Sequence, residues 1–403
     1  MSQVCESETP EDQVVEILSK LPPKSLMRFK CIRKSWCTII NSSSFVTKHL
    51  SNSIDKKLSS SSCILLNRCQ VHVFPDRSWK QDVFWSMINL SIDSDENNLH
   101  YDVEDLNIPF PMEDQDNVEL HGYCNGIVCV IVGKNVLLCN PATEEFRQLP
   151  DSSLLLPLPK GRFGLETVFK GLGFGYDCKA KEYKVVRIIE NCDCEYSEGE
   201  ESYYERILLP HTAEVYTMTT NSWKEIKIDV TSDTDPYCIP YSCSVYLKGF
   251  CYWFSMDNGE YIFSFDLGDE IFHTIELPSR REFDFKFYGI FLYNESITSY
   301  CSRYEEDCKL FEIWVMDDYD GVKNSWTKLL TVGPFKDIDY PLTIGKCDEV
   351  LMLGSYGRAA FCNSSTGNLK YLHIPPIINW MIDYVKSIVP VQWIEAKVPF
   401  SPI

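Results

Sequence analysis

The 403-residue sequence predicts a small N-terminal helical module followed by a large, mostly-β domain that is propeller-like. Three observations lead there. Apolar residues recur at three- and four-residue intervals between residues 9 and 50. From about residue 63 the texture changes to short aromatic and β-branched runs, punctuated by Gly, Asn and Asp. Those runs carry a weak repeat at roughly the spacing of propeller blades.

The helical stretch is divided by prolines. Thr9-Pro10 reads as an N-cap followed by proline in the first turn, with Glu11 and Asp12 complementing the helix dipole. Val14, Ile17, Leu18 and Leu21 then fall on one face, and Pro22-Pro23 ends the helix. A short second helix sets Leu26 and Phe29 against Lys24 and Arg28. A third, starting at Cys31-Ile32, places Ile32, Trp36, Ile39 and Ile40 at helical spacing, a pattern suited to burial. Three short helices cannot hide this many apolar residues, so a face is left over. The polar run "NSIDKKLSSSSC" makes 51–62 a linker.

Residues 63–403 form the β-domain. "SVYLKGFCYWF" (244–254), "YIFSFDL" (261–267) and "FEIWVMDD" (311–318) are strand-like. A recurring unit is a strand, a polar turn, then an aromatic or Leu that opens the next strand. Its marker residues are Leu99, Phe146, Tyr183, Trp223, Phe272, Trp326 and Leu369, separated by 47, 37, 40, 49, 54 and 43 residues. A β-propeller fits this spacing, and a stacked sandwich with irregular loops is the alternative. The intervals are too ragged to fix a blade count.

The chain carries 58 acidic and 38 basic residues, a formal net charge of −20. Residues 1–60 are net +3, so the remainder is net −23. That field repels nucleic acid and anionic membranes and steers a basic partner inward. The N-terminus has acids where a signal peptide needs positive charge, and no apolar run is long enough for a membrane span. The expected location is the cytoplasm, with a nuclear presence left open. The 18 cysteines are then expected as thiols. With no C-x-x-C and no His–Cys clustering, no metal site is expected.

Catalytic signatures are missing. There is no H-E-x-x-H, G-x-S-x-G or P-loop, so no catalytic residue and no cofactor is assigned. "GLGFGYD" (171–177) precedes a strand-like run rather than a helix and reads as a glycine-lined bend. "MDDYDG" (316–321) puts Met316 where a calcium loop needs Asp and reads as a turn. "ENCDCEYSEGEESYYER" (190–206) sets seven acids against Arg206. It is either a solvated loop held open by self-repulsion or a docking loop for a basic protein. In the second reading Glu195, Glu198, Glu200 and Glu201 contact the target. "PMEDQDNVE" (111–119) is a second acidic candidate.

"LPPKSLMRFKCIRKSW" (21–36) poses the remaining question, because it mixes five basic residues with six large apolar ones. A nucleic-acid helix needs polar base-reading residues and a compatible overall field. Neither is present, and the surplus of apolar residues favours protein docking. The stretch from Pro10 to Leu50 closely resembles an F-box, the three-helix module that docks on a Skp-type adaptor. It departs from many F-boxes at Thr9-Pro10-Glu11, where they show Leu-Pro ahead of the acid. The resemblance implies an adaptor face built from Val14, Ile17, Leu18, Leu21, Pro22, Leu26, Phe29 and Trp36, some in contact and some ordering the helices.

"GYCNGIVCV" (122–130), "LLCNPATEEFRQLP" (137–150), "LGFGYDCKAKEYKVVRI" (172–188) and "AEVYTMTTNSWKEI" (213–226) resemble the F-box-associated domain of plant F-box proteins. The chain is similar in particular to the S-locus F-box proteins of pollen, including the S-locus F-box brothers of apple and pear. The resemblance implies a non-catalytic substrate receptor of a Skp–cullin–F-box ubiquitin ligase in the pollen-tube cytosol. It would act in self-incompatibility, bind cullin through the adaptor, and take non-self style ribonucleases, which are basic proteins, as targets. The alternatives are an F-box receptor for an unrelated plant protein, a binding module outside ubiquitination, and an enzyme with carboxylates converging on a propeller channel.

Overall fold

The computed structural model describes residues 11–391 apart from 60, 75–78, 93–98, 107–117, 134, 153–163, 198–202, 209–211, 229–243, 256–260, 279–285, 318–324, 346–348 and 376. Four helices come first: α1 (Glu11–Leu18), α2 (Pro23–Phe29), α3 (Lys34–Asn41) and α4 (Ser43–Ser59). The fourth occupies most of 51–62, where the sequence suggested a polar linker. Its apolar residues Phe45, Val46 and Leu50 are buried, and that anchorage carries the polar half along as helix.

The strands then form six sheets. Blade 1 contains β1 (Ser61–Val73), β2 (Trp79–Ile92) and β3 (Leu99–Leu106). Blade 2 is β4 (Val118–Cys124), β5 (Ile127–Val132), β6 (Asn135–Asn140) and β7 (Glu145–Gln148). Blade 3 has five strands, β8 (Gly164–Asp177), β9 (Glu182–Ser197), β10 (Tyr203–Leu208), β11 (Thr212–Thr217) and β12 (Ser222–Ile226). Blade 4 is β13 (Val245–Leu247), β14 (Phe250–Phe254), β15 (Tyr261–Asp266) and β16 (Ile271–Glu276). Blade 5 is β17 (Lys286–Tyr293), β18 (Ser296–Glu305), β19 (Cys308–Met316) and β20 (Trp326–Phe335). Blade 6 is β21 (Ile338–Ile344), β22 (Glu349–Gly354), β23 (Arg358–Asn363) and β24 (Leu369–Tyr371).

The last strand, β25 (Ile377–Tyr384), returns to blade 1 and pairs antiparallel with β1, with Cys63 opposite Tyr384 and Leu65 opposite Ile382. The ring is therefore closed by its two ends. Radial repetition of this kind leaves only short sheet edges exposed. The architecture is a six-bladed β-propeller behind an N-terminal helical module. Each pair of neighbouring blades encloses a buried apolar cluster, such as Trp253, Phe265 and Val215 between blades 3 and 4.

The repeat read from the sequence finds its meaning here. Leu99, Phe146, Trp223, Phe272, Trp326 and Leu369 are each the first or second residue of the outermost strand of one blade. Tyr183 is the extra mark, because it opens β9 inside blade 3. "GLGFGYD" lies within β8 rather than at a bend. Side chains of blade 4 occupy the space its glycines leave: a Cβ on Gly173 would stand 2.6 Å from Trp253, and one on Gly175 2.1 Å from Tyr246.

Candidate docking surface

The helical module is built from short pieces braced by one another. Pro22 is extended (φ −61°, ψ 148°) and Pro23 takes the first helical position of α2, where its missing N–H costs nothing. Leu26, fully buried, then faces the core. The Phe29 and Trp36 rings meet across the turn to α3 with centroids 5.5 Å apart. From α4, His49 Nε2 lies 3.0 Å from the Leu21 carbonyl, and Asn52 donates to the Ser19 hydroxyl at 2.9 Å.

The eight residues assigned to the adaptor face divide into three groups. Leu18 and Leu26 are buried in this chain's own core. Val14, Leu21, Phe29 and Trp36 are half-buried against it. Ile17 and Pro22 are open to solvent, Ile17 with 60% of its surface. The structure adds Ile32, 58% exposed, which the sequence pattern had placed in a buried face. Helix α3 begins only at Lys34, so Ile32 sits in the preceding turn and escapes the helical spacing that suggested burial. Among the described residues of the N-terminal module, Ile17 and Ile32 are the large apolar side chains left exposed.

Exposed ion pairs link the helices to one another and to the propeller. Glu16 on α1 accepts from Lys20 at 2.9 Å and from Lys48 of α4 at 2.6 Å. The hydrogen bonds from these two lysines, Lys20 first, hold its carboxyl down at about 2. Lys24 of α2 reaches across to Glu104 of β3 and lies 3.9 Å from Glu144 in the β6–β7 turn. It is therefore a tie to the propeller rather than part of a purely solvated basic side.

The helices share a core with the propeller. Leu18, Leu26, Ile40, Phe45, Val46 and Leu50 belong to the apolar cluster that fills the gap between blades 2 and 3. The segment after β25 completes it with Val385, Ile388, Val389 and Val391. Asn140, wholly buried, donates to the carbonyls of Ser387 (3.1 Å) and Val389 (2.8 Å). Ser387 donates to the Asn125 carbonyl at 2.6 Å, and the Tyr123 hydroxyl accepts from the Val385 N–H at 2.6 Å. A Cβ on Gly126, already in the left-handed region at φ +85°, would stand 2.2 Å from the Ser387 hydroxyl. No motif or regular apolar period marks 385–391 in the sequence.

The acidic stretch 190–206 takes a different form from the loop expected. It is a hairpin, β9 running to Ser197 and β10 returning from Tyr203, with Glu195 opposite Glu205 in register. Glu198, Glu200 and Glu201 lie outside the described residues, as does most of 111–119. Glu190 is not a solvated charge: it is buried and lies 3.2 Å from Lys170. Elsewhere in blade 3 a buried Lys184 bridges Asp177 (2.9 Å) and Glu270 (3.0 Å) of the next blade. Arg187 pairs with Glu214 beneath the Trp223 ring, 3.9 Å from its centroid. Each of these buried charges has a structural partner. Among the described residues no group of three His, Cys, Asp or Glu is placed to hold a metal ion, and no helix is long and apolar enough to cross a membrane.

The chain is thus a closed six-bladed propeller that carries a small helical module with Ile17 and Ile32 exposed on it. The F-box associated beta propeller domain matches residues 78–385, and the chain belongs to that family of plant F-box proteins. It is similar to the F-box protein CPR1 of Arabidopsis thaliana, at 26% identity across 82% of this chain and 74% of that one. It is also similar to two Arabidopsis F-box/kelch-repeat proteins. At3g23880 is 25% identical, with 90% and 89% of the two chains covered. At3g17530 is 24% identical, with 89% and 83% covered.

Proposed function

We propose that the chain is the substrate-receptor subunit of a Skp–cullin–F-box ubiquitin ligase. The observation that carries this reading is the exposure of Ile17, Ile32 and Pro22 on a module whose other apolar residues are used internally. A Skp-type adaptor covers that face, and cullin joins through the adaptor. The receptor performs no bond chemistry. It holds a target beside the conjugating enzyme and raises its effective concentration there. Replacing Leu21 and Pro22 with Ala abolishes co-purification with adaptor and cullin while the propeller stays folded. Undiminished co-purification overturns the docking assignment.

The finer reading is that the targets are basic proteins, the non-self style ribonucleases of pollen self-incompatibility, met in the cytosol of the pollen tube. The resemblance to S-locus F-box proteins supports it, and a net charge of −20 suits a basic target. A binding panel of purified style ribonucleases tests it. Binding of non-self forms above self forms is the expected result, and equal or absent binding removes it.

A further inference from the structure

Residues 17–54 hold seven lysines and arginines and no Asp or Glu, in a chain whose net charge is −20. Three of the seven are used inside the molecule. Lys20 and Lys48 close on Glu16, and Lys24 reaches Glu104 and Glu144. The other four, Arg28, Lys30, Arg33 and Lys34, form no ion pair with any acid among the described residues. The module's own exposed acids are Asp12 and Glu16 on α1 and Asp55 late in α4. Glu16 is already taken, and neither aspartate pairs with the four.

The four cations sit on a short, fixed turn. Arg28 lies in the last turn of α2, Lys30 follows as its C-cap, Arg33 is the N-cap of α3 and Lys34 its first residue. The Lys30, Cys31 and Ile32 N–H groups donate to the carbonyls of Leu26, Arg28 and Phe29 at 3.0, 3.1 and 3.1 Å. The Phe29 and Trp36 rings meet across the turn. Residues 31–35 are all exposed, and Ile32 stands among them between Lys30 and Arg33. An open apolar side chain is therefore flanked by cations from both helices.

Two of these positions are poor places for a cation. The start of a helix carries positive partial charge and favours an acid, or a side chain that accepts from the first N–H groups. Arg33 makes no capping hydrogen bond, and no acid occupies the first turn of α3. Lys34 adds a second positive charge there. Helix stability does not account for these residues, and no acid within the chain makes use of them.

We propose that Arg28, Lys30, Arg33 and Lys34 form a basic arc that receives carboxylates of an acidic protein partner around the Ile32 contact. This rests on the receptor reading and gives its adaptor a chemistry, an acidic surface surrounding an apolar recess. Beyond residue 60 the chain is net −23 and repels such a partner, so attraction is confined to the arc and orients the approach. The same field disfavours nucleic acid or an anionic membrane, whose charge extends far enough to meet the propeller as well. An acidic protein with a compact contact area satisfies both the cations and Ile32.

The test is the rate at which the full chain associates with a labelled, purified plant Skp-type adaptor, followed by stopped-flow fluorescence over a range of salt. The double variant Arg33→Asp, Lys34→Glu associates at least about tenfold more slowly than wild type at low salt, and the difference closes as salt is added. Its melting temperature holds or rises, because both changes suit the start of α3. A purely structural role for the two cations would lower the melting temperature and bring no salt dependence. Lys227→Glu, an exposed reversal on the propeller, leaves the rate within about twofold. Equal rates in wild type and double variant, or the same loss at every salt concentration, overturn the proposal and leave the receptor reading standing. No complex with the wild-type chain overturns both. Salt-sensitive self-association that the double variant abolishes, with adaptor binding unchanged, gives the arc to a second copy and also overturns the proposal.

Discussion

Asn140 Nδ2 lies 2.8 Å from the carbonyl oxygen of Val389, so a side chain of blade 2 holds the segment that follows the ring-closing strand. The same amide nitrogen reaches the Ser387 carbonyl, and Asn140, Ser387 and Val389 are all fully buried. Asn140→Ala leaves those acceptors without this donor and costs roughly 1–3 kcal/mol. Thermal unfolding measures it, and proteolysis releases the C-terminal segment first.

Leu26 and Ile32 lie close in sequence and have opposite fates. Leu26→Ala opens a cavity in the shared core and destabilises the helical module by roughly 2–5 kcal/mol. Ile32→Asp leaves stability within about 0.5 kcal/mol, because its side chain is already in water, and removes apolar contact with a partner. Denaturant titration and adaptor binding separate the two.

Gly175 is predicted to tolerate nothing larger. A methyl group there meets Tyr246 and Leu267 of blade 4, so Gly175→Ala costs roughly 1–3 kcal/mol through overpacking. A compensating Tyr246→Leu recovers part of the loss, which a double-mutant cycle detects.

Glu270 carries a pH dependence. Burial pushes its carboxyl upward, but the hydrogen bonds from Lys224 and Lys184 outweigh that and leave it below its ordinary value of 4.5. A depressed carboxylate contributes stability that is complete above the ordinary value and is lost as pH falls through the depressed one. The stability difference between wild type and Glu270→Gln is therefore constant at neutral pH and shrinks below about pH 4.5. Urea unfolding across that range checks the sign.

The class of fold was legible because its signals are local. The change from helical to strand texture fell within a few residues of Ser61, and six aromatic or Leu markers open six outer strands. Blade number was not, since Tyr183 mimics a marker in the one blade with a fifth strand. The helical module was half legible. Periodicity put Leu18 on an apolar face, and it is buried, but it also placed Ile32 in a helix that starts two residues later. Nothing local marks Lys24 as paired, because its partners Glu104 and Glu144 are about 80 and 120 residues away. The segment 385–391 carries no motif, and its role comes from long-range contacts with Asn125 and Asn140 that no local window contains.

The receptor account stands most directly on one binding constant. Calorimetric titration of the full chain with a purified plant Skp-type adaptor should give a one-to-one complex of submicromolar affinity. In the Ile17→Asp, Ile32→Asp double variant it should weaken by at least about a hundredfold, with an unchanged melting transition for the propeller. No complex with the wild-type chain, or an affinity untouched by the double variant, contradicts the account.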